Sequence, residues 1–159
     1  MKATRILLAG AVLLALASTA CLAHDAKPFE VDFDKCFDRN GDAPQYLFTF
    51  AGPATGDVNG TLESRVIRFD VGIQPLQTNI EVDYVVTGTL PFSARLGGRL
   101  NDKTNIAVLD GYVSVGPAWL VGARVHDEFL SYTRPNGLPC AKGTLYITPR
   151  WKPTHGDNE

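Results

Sequence analysis

The sequence predicts an all-β protein, an eight-stranded antiparallel β-barrel, and three observations carry that expectation. No amphipathic helical stretch of useful length occurs between Phe29 and Pro149. Runs rich in β-branched and aromatic residues, alternating with polar ones, recur instead. Short segments rich in Gly, Pro, Asn and Asp separate these runs, and short links join antiparallel neighbours because a parallel pair needs a long crossover. Full closure removes the exposed edges that invite aggregation.

The elements follow in chain order. "FEVDF" sets Phe29, Val31 and Phe33 against acids, and "QYLFTF" puts Tyr46, Phe48 and Phe50 on one face. "VNGTLESRVIRFDV" carries Val58 and Leu62 on one phase but Ile67, Phe69 and Val71 on the other, which predicts a bulge or bend near Ser64 to Val66. Next come "NIEVDYVVTG", "PFSARLGGRL", "TNIAVLDGYVSV", "WLVGARVHDEFLSY" and "AKGTLYITP". The links "AGPATGD", "IQPLQTN", "TLP", "NDKT", "VGPA" and "RPNGLP" read as turns. An eight-stranded barrel has room for one small ligand or a plug of side chains.

Residues 92–129, "FSARLGGRLNDKTNIAVLDGYVSVGPAWLVGARVHDEF", carry an Asn-containing turn, then "VLDG", "VSVGP" and "GARVHDEF", followed by "PCAKGTLYIT". This pattern resembles the small bacterial proteins grouped as allene oxide cyclase barrel-like, relatives in fold of plant allene oxide cyclases and dirigent proteins. With "VNGTLESRV" as the early Gly-rich strand, the resemblance spans much of the chain. It implies an eight-stranded antiparallel barrel with an apolar cavity. It also implies kinship with enzymes that steer cyclisation of reactive hydrophobic intermediates and with dirigent members that guide radical coupling. No catalytic residue is carried over from it.

The first 23 residues obey a different logic. "MKATR" is a basic start, "ILLAGAVLLALA" an apolar core and "STACLA" a small-residue end, the three parts of a secretory signal peptide cleaved near Ala23. The apolar run is too short to span a bilayer, so no transmembrane segment is expected. Lipid attachment at Cys21 is the rival reading, but Ser18 stands where such signals carry a large aliphatic residue. The expected organisation is a leader over 1–23, a barrel over 24–149 and a flexible tail over 150–159, in which Trp151 covers one end. The destination is periplasmic or secreted.

Export gives the cysteines a meaning. Cys36 and Cys140 remain as a pair in an oxidising compartment, and a disulfide between them closes a loop of roughly a hundred residues, valued at up to ~4.7 kcal/mol by the chain-entropy model. Two cysteines and three scattered histidines show no metal-ligand spacing. "DRNGD", 38–42, resembles a calcium loop in composition, but Cys36 occupies the place of the first carboxylate, so it reads as a turn.

With 15 basic and 17 acidic residues, scattered and without a basic block, no nucleic-acid partner is expected. No nucleophile motif or phosphate-cradling Gly loop appears, and no cofactor is expected; any catalysis is then a cofactor-free isomerisation or cyclisation. Two classes of function remain. One is an exported barrel binding a small hydrophobic ligand in its lumen. The other is a non-catalytic protein acting through its outer face, as a homo-oligomer or an envelope or host-interaction factor, with a filled lumen and an exposed apolar patch.

The candidate ligand-binding residues are Tyr46, Phe48, Phe50, Tyr84, Arg124, His126 and Glu128. The aromatic residues, with Phe92 and Trp119, either line a site or simply fill the core. Arg124, His126 and Glu128 share one face of a strand, and in a pocket they would bind an acid and move a proton. Alternation favours placing them outside, which turns Asp127 inward with Val125 and Phe129 unless it lies near the barrel mouth. Arg95 with Arg99, and Glu81 with Asp83, read as exterior. Glu63 and Arg65 read as a surface pair that a bend at Ser64 would instead turn into the lumen.

Overall fold

A computed structural model describes residues 27–39 and 45–149. The leader, the tail with Trp151 and residues 40–42 of the "DRNGD" turn lie outside the described residues. The strands are β1 (Phe29–Phe37), β2 (Phe48–Gly56), β3 (Gly60–Gln74), β4 (Gln77–Gly88), β5 (Phe92–Asn101), β6 (Ile106–Val115), β7 (Arg124–Thr133) and β8 (Pro139–Thr148). Each pairs antiparallel with the next, and β8 returns to β1, so the sheet closes into a barrel.

Alternation decides what faces inward. On β4, Thr78, Ile80, Val82, Tyr84 and Val86 are all buried while every intervening residue is half-buried. The same phase drives Val31 and Phe33 of β1, Ala94 and Leu96 of β5, and Val125 of β7 into the core. The outer face carries ion pairs: Arg95 with Asp83 at 2.7 Å, Arg65 with Glu63 at 2.8 Å, and Arg68 with Asp70. The same outer face also exposes Ile106, Val108, Tyr112 and Leu130 on β6 and β7. Among the described residues no helix is long and apolar enough to cross a membrane.

Three local expectations are corrected. β3 shifts register against β4 twice, between Val66 and Arg68, slightly later than expected, and again between Val71 and Gln74, so Leu62, Ser64 and Val66 share the lumenal phase before the first shift. "AGPATG" is not a connection, because β2 continues to Gly56. Pro53 lacks an N–H, yet the β1–β2 register is kept through it from Phe33↔Ala54 to Cys36↔Ala51, and Gly52 lies so close to Lys35 that a Cβ there would stand 2.7 Å from the Lys35 Cα. "WLVGA" is not strand. The segment between β6 and β7 folds back, with the Leu120 N–H donating to the Pro117 carbonyl at 2.8 Å and Gly122 in the left-handed region at φ 79°. Its Leu120 is wholly buried.

This fold-back seals one end of the barrel. Leu120, Val58, Leu62, Val86 and Ile147 pack there with virtually no exposure, and Trp119 lies 5.7 Å from the Phe29 ring. The opposite end gathers the end of β1, the start of β2 and the β3–β4 hairpin. Phe69, Val71 and Leu76 of that hairpin are exposed.

Cys36 and Cys140 face one another across the β1–β8 ladder, their sulfurs 2.06 Å apart. The bond fastens the last strand to the first, 104 residues away in sequence. Replacing both cysteines, as Cys36→Ala with Cys140→Ala, should lower the unfolding free energy in urea by about 2–4 kcal/mol. An unchanged urea midpoint would show that the ladder alone sets closure.

Candidate functional site

The half of the barrel away from the sealed end is not filled. A cavity of about 350 Å³ lies there, walled by Phe48, Phe50, Val82, Leu109 and Phe129. Its size falls at the lower end of the range of small-molecule sites. Its lining is apolar except for Lys35, Tyr84, Ser64 and Ser131. Gly143 makes room for Phe129: a Cβ at that glycine would stand 2.6 Å from the Phe129 Cβ and 2.1 Å from the Glu128 carbonyl oxygen.

Three polar side chains meet within the barrel. Lys35 on β1, Tyr84 on β4 and Asp127 on β7 each lie in phase with apolar lumenal neighbours, so the pleat that buries Phe33, Val82 and Val125 buries them too. Lys35 Nζ donates to Tyr84 Oη at 2.6 Å, and the Tyr84 hydroxyl donates to Asp127 Oδ2 at 2.5 Å. All three are almost completely shielded from solvent, with exposures of 3%, 1% and 0%. Nζ also lies 4.4 Å from the Phe33 ring centre, 4.1 Å from that of Tyr84 and 5.2 Å from that of Phe129, a cation–π setting. Asp127 Oδ1 accepts no hydrogen bond from the described residues.

Burial shapes the proton affinities of all three. It lowers the Lys35 amine to about 7, against the attraction of the Asp127 charge. It raises the Asp127 carboxyl to about 6, opposed by Lys35 and by the Tyr84 hydrogen bond. The Tyr84 phenol is pushed well above its ordinary value, first by burial and then by the neighbouring carboxylate. One cation and one anion linked through a hydroxyl can exchange protons near neutral pH, which is the range in which acid–base groups work best.

The sequence candidates divide between the lumen and the outside. Phe48, Phe50 and Tyr84 line the cavity. Tyr46 does not: it precedes β2 and lies in an outer groove, with the Arg65 guanidinium 5.6 Å from its ring centre. Arg124, His126 and Glu128 stand on the outer face, because Val125 and Asp127 take the inward phase of β7. His126 bridges Asp110 at 2.9 Å and Glu128 at 3.2 Å, and these hydrogen bonds raise its pKa, Asp110 first. Glu63 and Arg65 pair with each other on the outer face, each about one-third exposed. Phe92 and Trp119 belong to the sealed end.

Lys35 is the site residue that the sequence reading missed. "FEVDFDKCF" continues its alternation two residues past Phe33, and that step alone puts a lysine in the barrel. Comparison with protein-family models, with curated proteins and with solved structures finds no match.

The buried pair sets a signed pH dependence. Asp127 binds its proton more tightly folded than unfolded, so its contribution to stability falls as pH rises from about 3.8 to about 6. Lys35 binds its proton less tightly folded, so its contribution rises from about 7 to about 10.5. Urea unfolding followed against pH should therefore show a trough between about 6 and about 7, and Lys35→Met with Asp127→Asn should flatten it. A trough that persists in the double variant would assign it elsewhere. The surface histidine offers a contrast: His126→Ala should change stability by less than about 1 kcal/mol and leave occupancy of the lumen unaltered. Loss of lumenal binding in that variant would contradict its outward placement.

Proposed function

We propose that this protein is an exported barrel that holds a small, neutral, mostly apolar molecule in its lumen, with one oxygen-bearing group against Lys35 and Tyr84. The observation that carries this reading is the cavity of about 350 Å³, apolar along its walls and polar at the Lys35–Tyr84 pair. The disulfide-bonded pair and the leader-like start of the chain support export to an oxidising compartment. The likeness of residues 92–129 to allene oxide cyclase barrel-like proteins points the same way.

Charge balance selects the ligand class. Asp127 already neutralises Lys35, so a carboxylate ligand would add an uncompensated buried negative charge, which costs several kcal/mol in a low-dielectric site. A carbonyl or hydroxyl oxygen adds no net charge and accepts a hydrogen bond from Nζ. A medium-chain alcohol such as decanol meets both requirements.

A second reading, a cofactor-free isomerase or cyclase, draws on the same trio. The Tyr84 hydroxyl lies between an amine and a carboxylate, the arrangement a proton relay needs. Action through the outer face with a filled lumen has weaker support, since Phe48, Phe50 and Phe129 leave space between them.

Solvent extraction of the purified protein, read by mass spectrometry, should release a neutral apolar compound. Decanol should displace the lumenal probe N-phenyl-naphthylamine, and Val82→Phe, which adds a ring inside the cavity, should weaken decanol binding at least about tenfold, or about 1.4 kcal/mol. Decanol binding that is undiminished in a folded Val82→Phe protein would place the ligand outside the barrel and defeat this reading.

A further inference from the structure

Resting on the lumenal-ligand reading, we propose that Lys35 captures a hydrophobic aldehyde in the cavity as a reversible imine, with Tyr84 carrying the protons and Asp127 balancing the charge. The geometry supplies each part. Lys35 lines the cavity while being shielded from bulk water by Phe33, Phe129 and Tyr84. Lys103 and Lys142, by contrast, stand on the exposed surface. An apolar enclosure favours condensation, because the reaction expels water and the product carries an alkyl chain that the aromatic walls accept.

Tyr84 stands where a proton carrier is required, 2.6 Å from Nζ. In the first step the Nζ lone pair forms a bond to the carbonyl carbon and the C=O π pair moves to oxygen. That oxygen takes the Tyr84 proton, and the phenolate takes one proton from nitrogen, giving a neutral carbinolamine. In the second step nitrogen forms the C=N bond, the C–O bond breaks, and the hydroxyl leaves as water with a proton from Tyr84. The phenolate then recovers the last N–H proton. Aldehyde and amine become imine and water, with no change of oxidation state.

Asp127, 2.5 Å from the same hydroxyl, stands behind the relay as counter-ion to the iminium that forms in passing. Its Oδ1 remains free of hydrogen bonds from the described residues. Burial also keeps the Lys35 amine near 7, so a large fraction is neutral and nucleophilic at physiological pH.

The test treats the purified protein with decanal, reduces with borohydride and maps the adduct by peptide mass spectrometry. The expected result is one reduced decyl group on Lys35, with decanol competing against its formation. Tyr84→Phe should slow adduct formation about 100-fold at saturating decanal, a loss of rate that weaker binding alone would not produce. Decanol binding without a Lys35 adduct, or labelling spread equally over Lys103 and Lys142, would overturn the covalent step and leave the ligand reading standing. Failure of both decanol binding and adduct formation would overturn both.

Discussion

Closing a pleated sheet on itself imposes one constraint from which the rest of this structure follows: every second residue of every strand must enter a lumen that excludes water. Most of the chain meets it with Val, Leu, Ile, Phe and Ala. Lys35, Tyr84 and Asp127 meet it differently, by bonding to one another across the interior from β1, β4 and β7. The disulfide acts at the same seam, since Cys36 directly follows Lys35 and ties β1 to β8.

A buried ion pair linked through a hydroxyl is weak evidence for stability, because apolar residues of similar volume often serve as well or better. Its desolvation is offset by two short hydrogen bonds and by the aromatic faces around Nζ. The stronger reason for such a trio lies in its position. It stands beside the cavity and not at the sealed end, where Leu62, Leu120 and Ile147 leave no exposed surface. One half of the barrel therefore serves as a rigid base, and the other presents polar groups to an apolar space.

The barrel was legible because alternation and turn chemistry agree along most of the chain, as in the unbroken β4 pattern and in the "NDKT" turn, where the Asn101 side chain accepts from the Lys103 and Thr104 N–H groups. Errors arose where tertiary context overrides local signals. Pro53 and Gly56 read as loop residues, yet β2 carries them because strands flank it on both sides. "WLVGA" has strand composition, yet it folds inward to plug an end that would otherwise expose apolar side chains.

The site was half legible. Tyr84 and the two phenylalanines follow from patterning, and the outward place of His126 follows once Asp127 is read as inward. Lys35 was lost because a lysine in an alternating run reads as a strand's end, and only its distant partners reveal why burial is tolerated. The central claim is that an apolar molecule occupies the lumen against this trio, and the most direct test is intermolecular nuclear Overhauser contacts from bound decanol in solution. Contacts to Phe50, Val82 and Phe129 are the predicted result; contacts confined to outer-face residues such as Tyr46 or His126 would contradict it.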